Sequence, residues 1–402
     1  MTDANRVDVA VIGAGPAGSR TAAQVASRGL RVLLLEKRGR IGYPVRCAEA
    51  IGPRDDVERY LTLDESLVSS PVNGVLIVSP DGARFEREMR GIGFIVDRML
   101  FDGRLAAAAV SAGAELRTGH QAEGLLRKNG RVCGVRVKDL ASGARYDVAA
   151  EVVVGADGVE SLSPRWAGLK KHFLPDEIFS CAQELIDGID VPSERIEFHL
   201  GRRLAPGGYA WVFPKGARTA NVGVGINPLL AAGRRAVDYL EGFIAHRCPA
   251  ARRTRLVVGG CVVARGLPSL AADGYVTVGE AANQNNPFSG GGIINALEGA
   301  DMAAEAIVAA MERGAPSAKA LGAYTDAWRR SAGKTNEAFY HAARVFYNLS
   351  DEEMGRLAGK LARVPGIFDS KGIKPAKMIR ALVASQPRLL LQFIRSWIAR
   401  RN

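Results

Sequence analysis

"VDVAVIGAGPAGSRTAAQVASRGLRVLLLEKR", residues 7–38, decides the fold. Val7 to Ile12 is a short apolar run, Gly13, Gly15 and Gly18 spell G-x-G-x-x-G, and Ala22, Ala23, Val25 and Ala26 give the next segment a helical packing face. "RVLLLE" (31–36) is a second apolar run closed by Glu36. Strand, glycine turn, helix and acidic strand end define a dinucleotide-binding unit. The glycines permit the tight turn, the approach of a pyrophosphate and close helix–sheet packing, while the helix N-terminus offers free N–H groups to the phosphates. A carboxylate at Glu36 accepts hydrogen bonds from ribose hydroxyls and repels a 2′-phosphate.

Three further stretches choose FAD over NAD. "VDRMLFDGRLAAAAVSAGAEL" (96–116) opens a helix with Arg98 and Asp102, and "EVVVGADGVES" (151–161) is a strand ending in Gly155-Ala156-Asp157-Gly158. "GYVTVGEAANQNNPFSGGGIINALEGADMAAEAI" (274–307) is a strand, an acidic turn, a Gly-rich loop and a long helix. The set, over roughly residues 1–330, resembles the FAD-dependent hydroxylase-like flavoproteins. That resemblance implies a non-covalent FAD held by Gly13, Gly15, Ala17, Gly18 and Glu36, with Arg98, Ala122 and Asp157 beside it. It further implies that Glu280 binds the ribityl chain, with Pro287, Gly291, Gly292 and Ile293 against the flavin and pyrophosphate. The family's third motif reads Gly-Asp. Here it is Gly279-Glu280, whose extra methylene moves the carboxylate by roughly 1.5 Å.

Two other stretches carry the chemistry. "APGGYAWVFPKGARTANVGVGI" (205–226) reads as a hairpin turning at Pro214-Lys215-Gly216, with Tyr209, Trp211 and Phe213 on one strand face. By residue type alone those aromatics are either core or a ligand wall. "YPVRCAEAI" (43–51) places Cys47 between Arg46 and Glu49, and by itself Cys47 reads as a small buried filler. Both stretches resemble the signature of the geranylgeranyl reductase family, in which "RCGEG" stands where this chain has Arg46-Cys47-Ala48-Glu49-Ala50. This resemblance implies reduction of carbon–carbon double bonds in prenyl chains, above all those of isoprenoid phospholipids. It implies a prenyl path along Tyr209, Trp211 and Phe213, with Arg46, Cys47, Ala48 and Ala50 along the flavin and Cys47 as catalytic proton donor. A free thiol titrates near ~8.5 and carries its proton at neutral pH. Two other readings share the fold: a flavin monooxygenase or halogenase, and an electron-transfer or lipid-binding flavoprotein.

Composition bounds the rest. The chain has 402 residues, 47% hydrophobic and 24% charged, enough for a sizeable core and two or three domains. The net charge of +12 calls for an anionic partner. Residues 371–402 hold eight basic and no acidic residues among apolar ones including Phe393 and Trp397. That pattern suits an anionic membrane surface or a helix packed on the protein; nucleic acid is not expected. There is no signal-peptide pattern and no run of about 18 apolar residues. The five scattered cysteines argue against disulfides and for a reducing compartment, and the five histidines show no metal-ligand spacing, so no metal is expected. The expected location is cytoplasmic and peripherally membrane-associated.

The expected architecture is α/β (α+β). It has a discontinuous Rossmann-type FAD domain (1–70, 97–165 and 255–330), an inserted antiparallel-sheet substrate domain (72–96 and 166–254) roofing the flavin, and a helical C-terminal region (331–402). The single G-x-G-x-x-G leaves the external reductant open among NADPH, a reduced deazaflavin and a ferredoxin.

Overall fold

The computed structural model describes residues 5–192, 194–314 and 316–361, together with isolated positions between 368 and 383. Two eight-stranded sheets dominate. The first has a parallel centre in the order Tyr275–Thr277, Arg145–Gly155, Arg6–Ile12, Val32–Glu36, Glu115–Thr118. The antiparallel hairpin His120–Lys128 and Arg131–Asp139 joins it through Arg145–Gly155. Both faces are covered, so its strands are apolar without alternation. Val9, Val11 and Leu34 pack under the helices Pro16–Ala26 and Ile293–Glu312, while Ala10, Ile12, Leu33 and Leu35 pack against Val132, Val135 and Val137 of the hairpin. Alanines at 22, 303, 304 and 306 keep the helix interface thin.

The register gathers the motifs. Ile12 lies between Leu35 and Gly155, and Gly155 pairs with Thr277. Gly13, Glu36, Asp157 and Glu280 thus all lie at or just after the carboxyl ends of adjacent parallel strands, where open α/β sheets bind ligands.

The second sheet runs Arg252–Val262, Ile178–Asp187, Thr219–Ile226, Tyr209–Pro214, Arg195–His199, Val68–Val78, Arg84–Val96, Ala50–Ile51. It is antiparallel except where Arg195–His199 pairs in parallel with Val68–Val78, a crossover that local pattern does not reveal. Strand Arg252–Val262 forms its edge, so this unit reaches residue 262. Alternation sorts the hairpin's side chains. Ala210, Val212, Val222 and Val224 face the helix Ala236–Arg247, which adds Leu240, Phe243 and Ile244; Tyr209, Trp211 and Phe213 face the opposite side.

The helices Ala332–Phe346 and Asp351–Leu361 form a third core around Phe339, Phe346, Tyr347 and Met354. Most of the basic segment 371–402 lies outside the described residues. Ile379 and Val383, one helical turn apart, pack against this third core, while Lys374, Lys377 and Arg380 are exposed. Among the described residues no helix is long and apolar enough to cross a membrane.

Candidate active site

One cavity of about 600 Å³ runs between the two sheets. Its first half is the nucleotide cradle. A Cβ on Gly13 would stand 2.4 Å from the Ala156 carbonyl oxygen, and one on Gly18 would stand 1.9 Å from the Gly13 oxygen, so both glycines are required for packing. A Cβ on Gly15 would meet no atom within 4 Å, because it would project into open space on the cavity wall. A pyrophosphate can approach the backbone there, in front of a helix whose first N–H groups lack intrahelical partners. Glu36 accepts from the backbone N–H groups of Ala14 (3.0 Å) and Arg38 (2.9 Å), which fixes the glycine turn and leaves carboxylate lone pairs for ribose hydroxyls.

The other predicted cofactor residues divide by position. Ala17, Arg46, Cys47, Ala48, Ala50, Arg98, Ala122, Asp157, Glu280, Gly291, Gly292 and Ile293 line the cavity. Gly18 lies behind the turn, and Pro287 is not on the cavity wall. Asp157 turns back to accept from the Ser163 N–H (2.8 Å) and hydroxyl (2.6 Å). Glu280 accepts from Val262 N (2.9 Å) and Asn285 Nδ2 (2.8 Å), both on Oε1, and Oε2 has no donor among the described residues. The longer side chain therefore reaches the second sheet's edge strand. Burial raises its pKa against those two hydrogen bonds. Arg98 makes a bidentate pair with Asp102 (2.8 and 2.8 Å); burial opposes its charge, but Asp102 and the neighbouring Cys47 more than compensate. Nearby, Lys170 donates to Asn283 (2.6 Å) and Ser161 (3.1 Å), and burial pushes it down to about 7 despite Asp157 and Glu280.

The second half of the cavity is aromatic. Tyr209, Trp211 and Phe213 all line it, with Phe198 packed edge-on to Tyr209 and Phe213 at 5.4 and 5.5 Å. The glycines of "ANVGVG" explain how the rings fit. Trp211 pairs across the hairpin with Gly223, and a Cβ there would stand 2.2 Å from the indole. The indole N–H donates to Gln183 Oε1 (3.1 Å), and Gln183 Nε2 donates to the Cys47 carbonyl (3.0 Å). Burial pushes the Cys181 thiol up to about 12 and raises Cys261 and Tyr209 well above their ordinary values. This end of the cavity is thus lined by protonated, uncharged groups and suits hydrocarbon.

Residue-by-residue reading missed what holds the Cys47 loop. Glu49, with φ +71°, is buried. Its carboxylate accepts from Lys215 Nζ (2.6 Å), Asn221 Nδ2 (2.7 Å) and Arg98 N (3.1 Å). Asn221 also donates to the Ala48 carbonyl (3.2 Å), and the Glu49 N–H lies 3.2 Å from Cys47 Sγ. The Glu of the cysteine motif, the Lys of "FPKG" and the Asn of "ANVG" are therefore one buried network. The clue in the sequence was two polar residues inside an apolar hairpin motif.

A glycine cradle, an acidic ribose anchor and a Gly-rich loop on one cavity define an FAD-dependent oxidoreductase of the hydroxylase-like flavoprotein fold. The comparisons narrow this. Models of an NAD(P)-binding Rossmann-like domain, an FAD binding domain and a geranylgeranyl reductase catalytic domain match residues 11–60, 96–200 and 177–263. The chain is 40% identical over 390 residues to the digeranylgeranylglycerophospholipid reductase of Methanosarcina acetivorans, covering 95% of this chain and 94% of that one. It superposes with a TM-score of 0.89 and 30% identity on a geranylgeranyl bacteriochlorophyll reductase-like protein from Thermoplasma acidophilum, covering 97% and 99% of the two chains. It also superposes with a TM-score of 0.69 on a p-nitrophenol 4-monooxygenase from Pseudomonas putida, with 97% and 98% covered but only 18% identity, a likeness of fold alone. The chain belongs to the geranylgeranyl reductase family and is an FAD-dependent reductase of carbon–carbon double bonds in geranylgeranyl groups.

Proposed function

We propose that the protein saturates the geranylgeranyl chains of a digeranylgeranyl glycerophospholipid at a membrane surface. The observation that carries this reading is the single cavity in which the nucleotide cradle opens onto a dry aromatic wall. Gly13, Gly15, Ala17, Glu36, Arg98 and the loop ending at Gly292 hold FAD, which when bound supplies a hydride to one alkene carbon. Tyr209, Trp211 and Phe213 hold the prenyl chain alongside and exclude water. The Cys47 thiol gives the proton to the other alkene carbon and regains one from solvent. An isolated alkene is a poor hydride acceptor, so a positioned acid matters. The Glu49 network fixes where that acid sits, because Gln183, Asn221 and Lys215 suspend residues 47–49 from the hairpin sheet. Exposed Arg46, which lines the cavity beside Gly259, suits an anionic head group. The basic residues from 371 on supply attraction to anionic lipid, consistent with exposed Lys374, Lys377 and Arg380.

The test is anaerobic: dithionite-reduced protein is mixed with a digeranylgeranyl glycerophospholipid and the lipid is weighed by mass spectrometry. A gain of two hydrogens per reduced bond is expected. No gain, together with oxygen-dependent turnover of an aromatic compound, would replace this reading by the monooxygenase one.

A further inference from the structure

The Gly-rich loop 286–292 spans the cavity from one half to the other. At Gly292 it abuts Asn285, whose side chain holds Glu280 in the cradle; at Gly290 it lies against Cys261 and Tyr209 of the aromatic sheet. Its internal bonds converge on Asn286. The Asn286 carbonyl accepts from Gly290 N (2.8 Å), its N–H donates to Gly291 O (2.8 Å), and Oδ1 accepts from Phe288 N (2.9 Å) and Ser289 N (3.2 Å). Two phenols hold the outside. The Tyr209 hydroxyl donates to the Ser289 carbonyl, and the Tyr347 hydroxyl donates to the Phe288 carbonyl. The peptide groups 288–289 and 289–290 are therefore each gripped at both the N–H and the C=O. Neither can turn over without losing a phenol bond, although Gly290 (φ +72°) and its glycine neighbours impose little restraint of their own. The Phe288 ring is plugged into the C-terminal helical core, stacked on Tyr347 at 5.5 Å and 27° with Phe346 at 5.2 Å.

The two phenols differ in one respect. Tyr347 is buried and is not on the cavity wall; Tyr209 is on it, between Phe198 and Trp211. We propose that Tyr209 and Tyr347 are positioning residues that clamp loop 286–292 against FAD, and that Tyr209 makes the clamp responsive to the prenyl chain. The second half rests on the substrate reading above. A chain lying on the Tyr209 ring moves the hydroxyl that orients the Ser289 carbonyl, so filling the hydrocarbon half of the cavity re-aims the loop in the flavin half. Tyr347 supplies the fixed end, through which the C-terminal helices take part in a site they do not line. Burial keeps both phenols protonated and therefore able to donate.

The experiment uses FAD-loaded full-length enzyme and geranylgeranyl phosphate as probe. Binding is measured by calorimetry, the flavin response by visible difference spectrum, and the clamp by the rate of FAD dissociation. Tyr209→Phe and Tyr347→Phe each keep the ring and remove one hydrogen bond. Tyr347→Phe is expected to speed FAD release by a few-fold to about tenfold, the range one hydrogen bond supplies, while keeping the probe-induced spectrum. Tyr209→Phe is expected to bind the probe within roughly threefold of wild type, because the hydrophobic contact remains, and to lose most of the spectral response. An unchanged FAD release rate in Tyr347→Phe overturns the clamp. A wild-type-like difference spectrum in Tyr209→Phe overturns the coupling alone. Absence of any calorimetric binding to the wild type overturns the substrate reading and the coupling together, leaving the clamp to be judged on FAD release.

Discussion

A single methyl group at residue 223 tests the geometry of the aromatic wall. In Gly223→Ala the new Cβ would stand 2.2 Å from Trp211 Cζ2, 2.4 Å from Cε2 and 2.9 Å from the Ala182 carbonyl oxygen. Real side chains do not approach so closely, and the carbonyl belongs to the neighbouring strand, so the indole is what moves. It can move only toward the cavity, away from Gln183. Overpacking of this kind costs about 1–3 kcal/mol, and losing the Trp211–Gln183 hydrogen bond adds about 1 kcal/mol. Restricting the unfolded chain returns about 0.4–1 kcal/mol. The expected net loss is roughly 1–3 kcal/mol in denaturant unfolding, with a raised KM for the prenyl lipid as the ring intrudes on its path. Gly225→Ala is the internal control. Its Cβ would meet Cys181 Sγ at 3.4 Å and Phe179 at 3.5 Å, ordinary contacts, so its net effect should stay within about 1 kcal/mol. If Gly223→Ala is as stable as Gly225→Ala and its KM is unchanged, the ring-over-glycine account is wrong.

Cys47→Ser should retain FAD but slow lipid-dependent reoxidation of the reduced enzyme by about ten- to a thousandfold in stopped flow; an unchanged rate would make the thiol a spacer. Lys215→Met leaves the buried Glu49 carboxylate with two neutral donors and should cost about 3–5 kcal/mol. Adding Glu49→Gln should recover part of that, and additive single costs would refute the pairing. Buried Glu197 is held to about 2: burial opposes its charge, but His199 and Arg247 outweigh it. Its folded pKa lies below the ordinary carboxylate value, so it contributes roughly 3 kcal/mol above pH ~4.5 that fades toward pH ~2. Arg247→Met should destabilise the protein near neutral pH and flatten stability between pH ~4.5 and ~2, which acid titration of the melt would show. Truncation after residue 370 should weaken co-sedimentation with anionic liposomes by roughly 1 kcal/mol for each basic residue that reaches the surface; equal sedimentation at low and high salt would assign the segment to packing.

The nucleotide half was legible because its signals are local. A strand, a glycine turn and a helix are written within residues 7–38, and the carboxyl-end positions of Glu36, Asp157 and Glu280 follow once the strands are parallel. The aromatic wall was legible as a face, since alternation puts Tyr209, Trp211 and Phe213 together, but not as a surface with depth. What stayed hidden were contacts between distant segments. Nothing near Gln183 marks it as the link between Trp211 and Cys47, and nothing near Tyr347 points to a loop 59 residues away. The parallel pairing of Arg195–His199 with Val68–Val78 was likewise beyond reach, because period-two patterning fixes which face a side chain takes and not which strand lies beside it.

Glu49 has a consequence for how the chain is made. A ribosome delivers the cradle and the Cys47 loop long before the lysine and asparagine that neutralise and cap this carboxylate, 166 and 172 residues later. Until they emerge, a charge destined for the interior has only water and one backbone N–H to satisfy it, and the left-handed turn at Glu49 has nothing to enforce it. The Cys47 loop is thus set by the hairpin of residues 209–226, and the cavity wall it forms is completed only after that hairpin has been made. A chain arrested before that hairpin would present the glycine turn without a settled Cys47 loop across the cavity from it.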